Sequence, residues 1–215
     1  MINNVNTIIF DCDGVILNSN EVKKQAYYKV ALSYYGDELA TSLIEYLSKN
    51  TGNPREHFFN HFLTNIVPSE FSGPGVEELI AEVTDKIYKG LMDCEISQSL
   101  FALREKFPDS KWLVVSGGVE KELRDIFCKR SLIDLFDGGI FGGPMTKDQI
   151  LKSLIEQGLI KFPAIFLGDS RYDYEVANRF NLDFIFISGW TDFKDWENYC
   201  FNNKITYVGS LYNFL

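Results

Sequence analysis

The stretch Thr7-Ile8-Ile9-Phe10-Asp11-Cys12-Asp13-Gly14 decides how the rest of the chain is read. Thr7 to Phe10 is a short continuous run of apolar and β-branched residues. That pattern suits a strand covered on both faces of a parallel sheet, because a half-exposed strand alternates instead. Four further runs have the same texture: Trp112 to Val115, Ala164 to Leu167, Phe184 to Ile187 and Ile205 to Val208. Between them lie helical patterns, Val119, Leu123, Ile126 and Phe127, then Ile150, Leu151, Leu154 and Ile155. Strand followed by helix, repeated, predicts an α/β fold with a doubly wound parallel sheet.

Between Val15 and Met92 the strand signal disappears. Val22, Ala26, Val30 and Tyr34 recur every four residues, and Gly36 stops that helix. Leu39, Leu43 and Leu47 mark a second helix, running out at Asn50-Thr51-Gly52. Asn53-Pro54-Arg55-Glu56 opens a third, with Asn53 as N-cap and Pro54 at the first helical position. Val76, Leu79, Ile80, Val83 and Ile87 give a fourth, entered through Gly73-Pro74-Gly75. The expected organisation is a core of residues 1–14 and 93–215, with a helical cap of residues 15–92 inserted after the first strand.

Composition narrows the function. The 215 residues carry 21 Lys and Arg against 30 Asp and Glu, a net charge of −9. No basic stripe is visible that would neutralise nucleic-acid phosphates or an anionic membrane surface, so neither is an expected partner. The first residues, MINNVNTIIF, lack a basic segment and a long apolar run, and read as neither signal peptide nor membrane span. Cys12, Cys94, Cys128 and Cys200 form no close pair, which argues against a zinc cluster and for four buried, reduced thiols in a cytoplasmic protein.

The polar residues that follow the strands carry the chemistry. In open α/β sheets ligands sit beyond the carboxyl ends of the strands. Asp11 and Asp13 are two positions apart on an extended segment and share one side, so one can attack as a nucleophile while the other exchanges protons. Asp-x-Asp-Gly also suits a plain turn. Ser116-Gly117-Gly118 offers a hydroxyl and small residues beside which an anionic oxygen can approach the backbone, or simply a tight turn. Lys147 stands where a helix begins, an unfavourable place for a cation unless an anion sits beside it; a solvated surface lysine is the alternative. Gly168-Asp169-Ser170-Arg171-Tyr172-Asp173 adds two carboxylates. With Asp11 they crowd three acidic groups into one crevice, which calls for a hard cation on oxygen ligands, most naturally Mg²⁺.

In their order, Asp-x-Asp, Ser, Lys and Gly-Asp-x-x-x-Asp, these motifs resemble the haloacid-dehalogenase-like superfamily. The likeness is to its capped phosphatases, the phosphoglycolate-phosphatase-like and β-phosphoglucomutase-like group, and it covers essentially the whole chain. The resemblance implies a Rossmann-like core and an Mg²⁺-dependent phosphatase of a small phosphorylated metabolite, either a sugar phosphate or a phospho-acid. It implies Asp11 as the nucleophile that forms an aspartyl-phosphate and Asp13 as general acid, then base. Ser116, Gly117 and Lys147 would hold the phosphoryl group, and Asp11, the Asp13 carbonyl, Asp169 and Asp173 would hold Mg²⁺. Dehalogenases of the superfamily lack an acid at the position of Asp13. The chain has Asn18-Ser19 where many relatives have Asp-Ser, and Gly117 where Asn is frequent. A phosphomutase of the same fold and a catalytically silent binding protein are the alternatives.

Outside the motifs, Arg55, Lys23 and Lys24 are candidates for the non-reacting end of a substrate, with surface solvation as the commoner fate. His57 and His61 share a helix face without a third zinc ligand nearby. Phe58, Phe59 and Phe62 are expected to fill the cap's own core. Trp190, after the Phe184 to Ile187 run, is compatible with either role. Neither oligomeric state nor pathway is legible.

Overall fold

The computed structural model describes residues 5–50 and 53–214. Among these residues six strands form one sheet: β1 (Thr7–Phe10), β2 (Lys111–Val119), β3 (Gly139–Gly143), β4 (Ala164–Gly168), β5 (Asp183–Ile187) and β6 (Thr206–Val208). Among the described residues, eight α-helices accompany them: α1 (Asn20–Lys49), α2 (Arg55–His61), α3 (Val76–Asp93), α4 (Leu100–Lys106), α5 (Glu120–Lys129), α6 (Lys147–Glu156), α7 (Arg171–Arg179) and α8 (Trp196–Asn203).

The strand order is β3-β2-β1-β4-β5-β6, and every neighbouring pair is parallel. The order reverses between β1 and β4, where crossovers to either side leave a crevice beyond the carboxyl ends. Alternate residues of β1 face opposite layers. Ile9 packs with Leu113, Phe166, Ile150, Leu154 and Val176 under α6 and α7. Phe10 points the other way, its ring 4.7 Å from Trp112 and 5.6 Å from Phe136. Both faces are therefore dry, which is why the strand reads as an unbroken apolar run.

The chain divides into two units, residues 1–20 with 95–215 and residues 21–94. Residues 15–20 stay with the first because Leu17 bridges Asp13 and Ile96. In the second, α1 is broken at Gly36, whose φ of 80° and ψ of 173° suit only glycine. The stripe predicted from Val22 to Tyr34 is shifted. Ala26, Tyr27, Val30, Ala31 and Tyr35 are buried, while Tyr34 is exposed and donates to Glu82. Phe58, Phe59 and Phe62 are buried together, against Tyr27 and Tyr35.

Several expectations need correction. The segment after Asp137 is a sixth strand, β3, paired with β2. Helix α2 begins at Arg55 with Pro54 as its N-cap, and the Asn53 amide donates instead to the Asn50 carbonyl. The expected stop at Asn50-Thr51-Gly52 lies, for Thr51 and Gly52, outside the described residues. Of the four cysteines, only Cys12 and Cys200 are buried; Cys94 is half-buried and Cys128 exposed. Among the described residues, no helix is long and apolar enough to cross a membrane.

Candidate active site

The site is built from the ends of β1, β2 and β4 and the first turns of α6 and α7. Asp11 follows β1, and its amide continues the ladder by donating to the Leu167 carbonyl at 2.9 Å. Its Oδ1 accepts from the Cys12 amide at 2.7 Å and faces Lys147 Nζ at 2.9 Å. Lys147 is the first residue of α6, behind a Thr146 cap whose hydroxyl accepts from the Gln149 amide. The ammonium is only 6% exposed and is held on its other side by Asp173 Oδ1, at 2.5 Å. The unfavourable placement of a cation at a helix N-terminus is thus offset by two carboxylates, and the surface-lysine alternative fails.

Asp173 is fully buried in the first turn of α7. Its Oδ2 accepts from both the amide and the hydroxyl of Ser170, at 3.1 and 2.6 Å, and the Ser170 hydroxyl accepts from the Asp173 amide at 3.2 Å. That reciprocal capping fixes the carboxylate before any ligand arrives. The starts of α6 and α7 are held in register by Asp148, which accepts two bonds from Arg179 and one from the Tyr172 hydroxyl. Asp169, at the tip of β4, completes the group: Asp11, Asp169 and Asp173 each place an oxygen within 4.8 Å of the others, and all three are buried.

Such crowding has an electrostatic signature. Burial pushes the Asp11 carboxyl up from 3.8 to about 7, Lys147 opposes the shift, and Asp173 and Asp13 add to it. Asp169 is raised well above 3.8, by burial first and then by Asp11 and Asp173. Burial alone would lower Lys147, but Asp11 and Asp173 outweigh it, so Lys147 stays an ammonium and is raised above its usual value. The donor set fits a hard divalent cation: three buried oxygen donors around one spot, with one ammonium against three carboxylates.

Asp13 stands outside that carboxylate group. It is half-buried, and the Ser19 hydroxyl donates to its Oδ1 at 2.5 Å. Ser19, in the Asn18-Ser19 pair, is thus a contact of the second acid. Ser116 is fully buried, and its hydroxyl oxygen accepts from the Gly118 amide at 3.0 Å, which leaves the O–H to donate outward. The register Phe10↔Val114 puts Ser116 on β2 one residue beyond the level of Asp11, and nothing lies within 4 Å of where a Cβ at Gly117 would sit. Arg55, in the helical unit, donates to the Thr84 hydroxyl at 2.8 Å. There too, His61 stacks on Tyr46 at 3.6 Å between ring centroids, and His57 shares a hydrogen bond with the Tyr46 hydroxyl at 2.9 Å.

Two contacts escaped the sequence reading. Ser170 three residues before Asp173 is a legible capping pattern. Asn20, which donates to Asp169 Oδ2 at 2.7 Å across 149 residues of chain, carries no local signal at all.

A doubly wound sheet with an ammonium and three buried carboxylates at its switch point defines an α/β protein whose site suits an anionic ligand and a cation. Residues 8–187 match the family model for haloacid dehalogenase-like hydrolases, and the chain belongs to that family. Among solved structures it is similar to a hydrolase of the haloacid dehalogenase-like family from Streptococcus pneumoniae (20% identity, TM-score 0.66, covering 95% of this chain and 93% of that one). It is also similar to a family IA, variant 3 hydrolase from Entamoeba histolytica (14%, TM-score 0.76, 97% and 94%). A variant of CbbY from Rhodobacter sphaeroides in complex with xylulose-(1,5)-bisphosphate matches as well (13%, TM-score 0.69, 96% and 95%). At these identities the likeness is one of fold. No curated protein matches the chain.

Proposed function

We propose that this hydrolase is an Mg²⁺-dependent phosphatase of a small phosphorylated metabolite, working in the cytoplasm through a phosphorylated Asp11. One observation carries the reading: the Lys147 ammonium is buried between Asp11 and Asp173, with Asp169 completing an all-oxygen group beside it. Phosphoryl transfer needs positioning and charge neutralisation more than covalent machinery, and this group supplies both. Asp11, Asp169 and Asp173 would hold Mg²⁺ with the Asp13 main-chain carbonyl, and the bound ion would neutralise charge on the transferring phosphoryl group.

The chain's own residues account for the steps. Lys147 and the Ser116 hydroxyl, with the backbone at Gly117, grip the phosphoryl oxygens. A carboxylate oxygen of Asp11 forms a bond to phosphorus as the ester P–O bond breaks. Asp13 delivers its proton to the departing alcohol oxygen, then takes one from water as that water attacks phosphorus. The second transfer regenerates Asp11 and releases inorganic phosphate. Ser19, bonded to Asp13, orients the acid for both proton movements.

Phosphate release from phosphorylated sugars, short acids and nucleotides, with Mg²⁺ and with EDTA, tests the reading. Release that needs Mg²⁺ and vanishes in Asp11→Asn supports it. Full activity in the folded variant refutes it, and little free phosphate with a requirement for a bisphosphate activator points to a phosphomutase instead.

A further inference from the structure

Asp169 is held in a way that its neighbours in the acidic group are not. Its Oδ2 accepts from the Asn20 side-chain amide nitrogen at 2.7 Å, a neutral donor where Asp11 and Asp173 face the Lys147 ammonium. The same nitrogen donates to the Trp190 main-chain carbonyl at 3.0 Å. A side-chain amide nitrogen has two N–H groups, so each acceptor takes one, and the orientation of the amide follows from the pair. The Asp169 main-chain carbonyl is fixed separately, by the Thr191 hydroxyl at 2.6 Å.

The bridge needs room that only a glycine leaves. A Cβ at Gly14 would fall 2.0 Å from Asp169 Oδ2 and 2.6 Å from the Asn20 nitrogen, and the φ of 74° there already disfavours other residues. The last torsion of an aspartate is broad, so without a partner on Oδ2 the buried carboxylate samples a range of planes. A lysine or arginine in place of Asn20 would also fix the plane, but it would cancel the negative charge that attracts a cation. A neutral donor fixes the geometry and keeps the charge.

We propose that Asn20 is a positioning residue for cation binding, holding Asp169 oriented toward Asp11 and Asp173. The inference rests on the cation site of the proposed function and adds a residue to it. Outer partners of metal ligands typically change metal affinity by about 10–100-fold when removed.

Mn²⁺ titration of the substrate-free protein, followed by electron paramagnetic resonance, reads that affinity directly, with thermal unfolding as a check on folding. Asn20→Ala is expected to raise the Mn²⁺ Kd at least about tenfold. Asn20→Ser, a side chain tolerated at a helix start but too short for the bridge, should do the same. In both, turnover recovers at high Mg²⁺, so the metal requirement shifts while kcat does not. Thr7→Val, which removes hydrogen bonds to Lys161 at the far end of β1, is the control for general loosening and should leave the Kd unchanged. Wild-type affinity in the Asn20 variants, or an equal loss in Thr7→Val, overturns the inference. A wild-type protein that binds no Mn²⁺ overturns the cation site itself.

Discussion

Lys147 reaches from the first turn of α6 to Asp173 in the first turn of α7, 2.5 Å from Nζ to Oδ1, and both side chains are removed from solvent. The same ammonium lies 2.9 Å from Asp11 Oδ1. A single positive charge therefore ties together the ends of β1, α6 and α7, and it stabilises the very carboxylates whose mutual repulsion the fold has to bear.

Removing that charge leaves two buried carboxylates without compensation. Lys147→Met should destabilise the protein by about 3–5 kcal/mol, the range for breaking a buried ion pair by deleting one partner. Urea unfolding in EDTA measures it, and added Mg²⁺ should recover part of the loss. A variant as stable as the wild type would mean that the three carboxylates do not depend on Lys147.

Asp11→Asn keeps the volume and removes a charge that burial disfavours. Turnover should fall by about a thousandfold or more, since a nucleophile acts as a unit with its partners. The melting temperature should not drop, because Lys147 retains Asp173 and the repulsion within the group declines. Steady-state kinetics and thermal unfolding on one preparation check both statements.

The raised carboxyls give a pH dependence with a definite sign. Asp11 moves from 3.8 unfolded to about 7 folded, so the folded state holds its proton more tightly. A group shifted in that direction erodes stability as pH rises between those two values. In EDTA the melting temperature should decline from about pH 4 to about pH 7 on account of this group. A bound cation competes with the same protons, so in Mg²⁺ the decline should be shallower and the apparent affinity should rise with pH. Parallel profiles in the two conditions would contradict the link between the cluster and cation binding.

The break in α1 is a backbone effect alone. Nothing lies within 4 Å of where a Cβ at Gly36 would sit, yet its φ and ψ are accessible in practice only to glycine. Gly36→Ala should therefore cost about 1–3 kcal/mol without any steric clash. Equilibrium unfolding of the variant checks the figure. A neutral or stabilising result would show that α1 runs through as one continuous helix.

Where the sequence was legible, a local rule was at work. Dry strands read as apolar runs because both faces of the sheet are covered, and Gly36 was placed correctly because its conformation excludes side chains. β3 was missed because Gly139, Gly142 and Gly143 dominate its five residues and carry no strand preference; pairing with β2 alone makes it a strand. The start of α2 lies one residue later than expected because the Asn53 side chain donates to the Asn50 carbonyl instead of capping the helix. Asp11, Lys147, Asp169 and Asp173 were legible as candidates from their strand ends, but the ion pairs that join them depend on register between α6 and α7. The Asn20 bridge to Asp169 depends on the path of the chain after Gly14, which no spacing encodes.

The most direct test of the account is to trap the covalent step. With the phosphate donor that the release assay ranks first, radiolabelled and quenched in acid during turnover, the wild-type protein in Mg²⁺ should carry label on the peptide containing Asp11. Hydroxylamine should remove that label, as it does from an acyl phosphate, and Asp11→Asn should carry none. Turnover without labelled protein, or a label that persists in Asp11→Asn, would contradict the claim that Asp11 is the nucleophile.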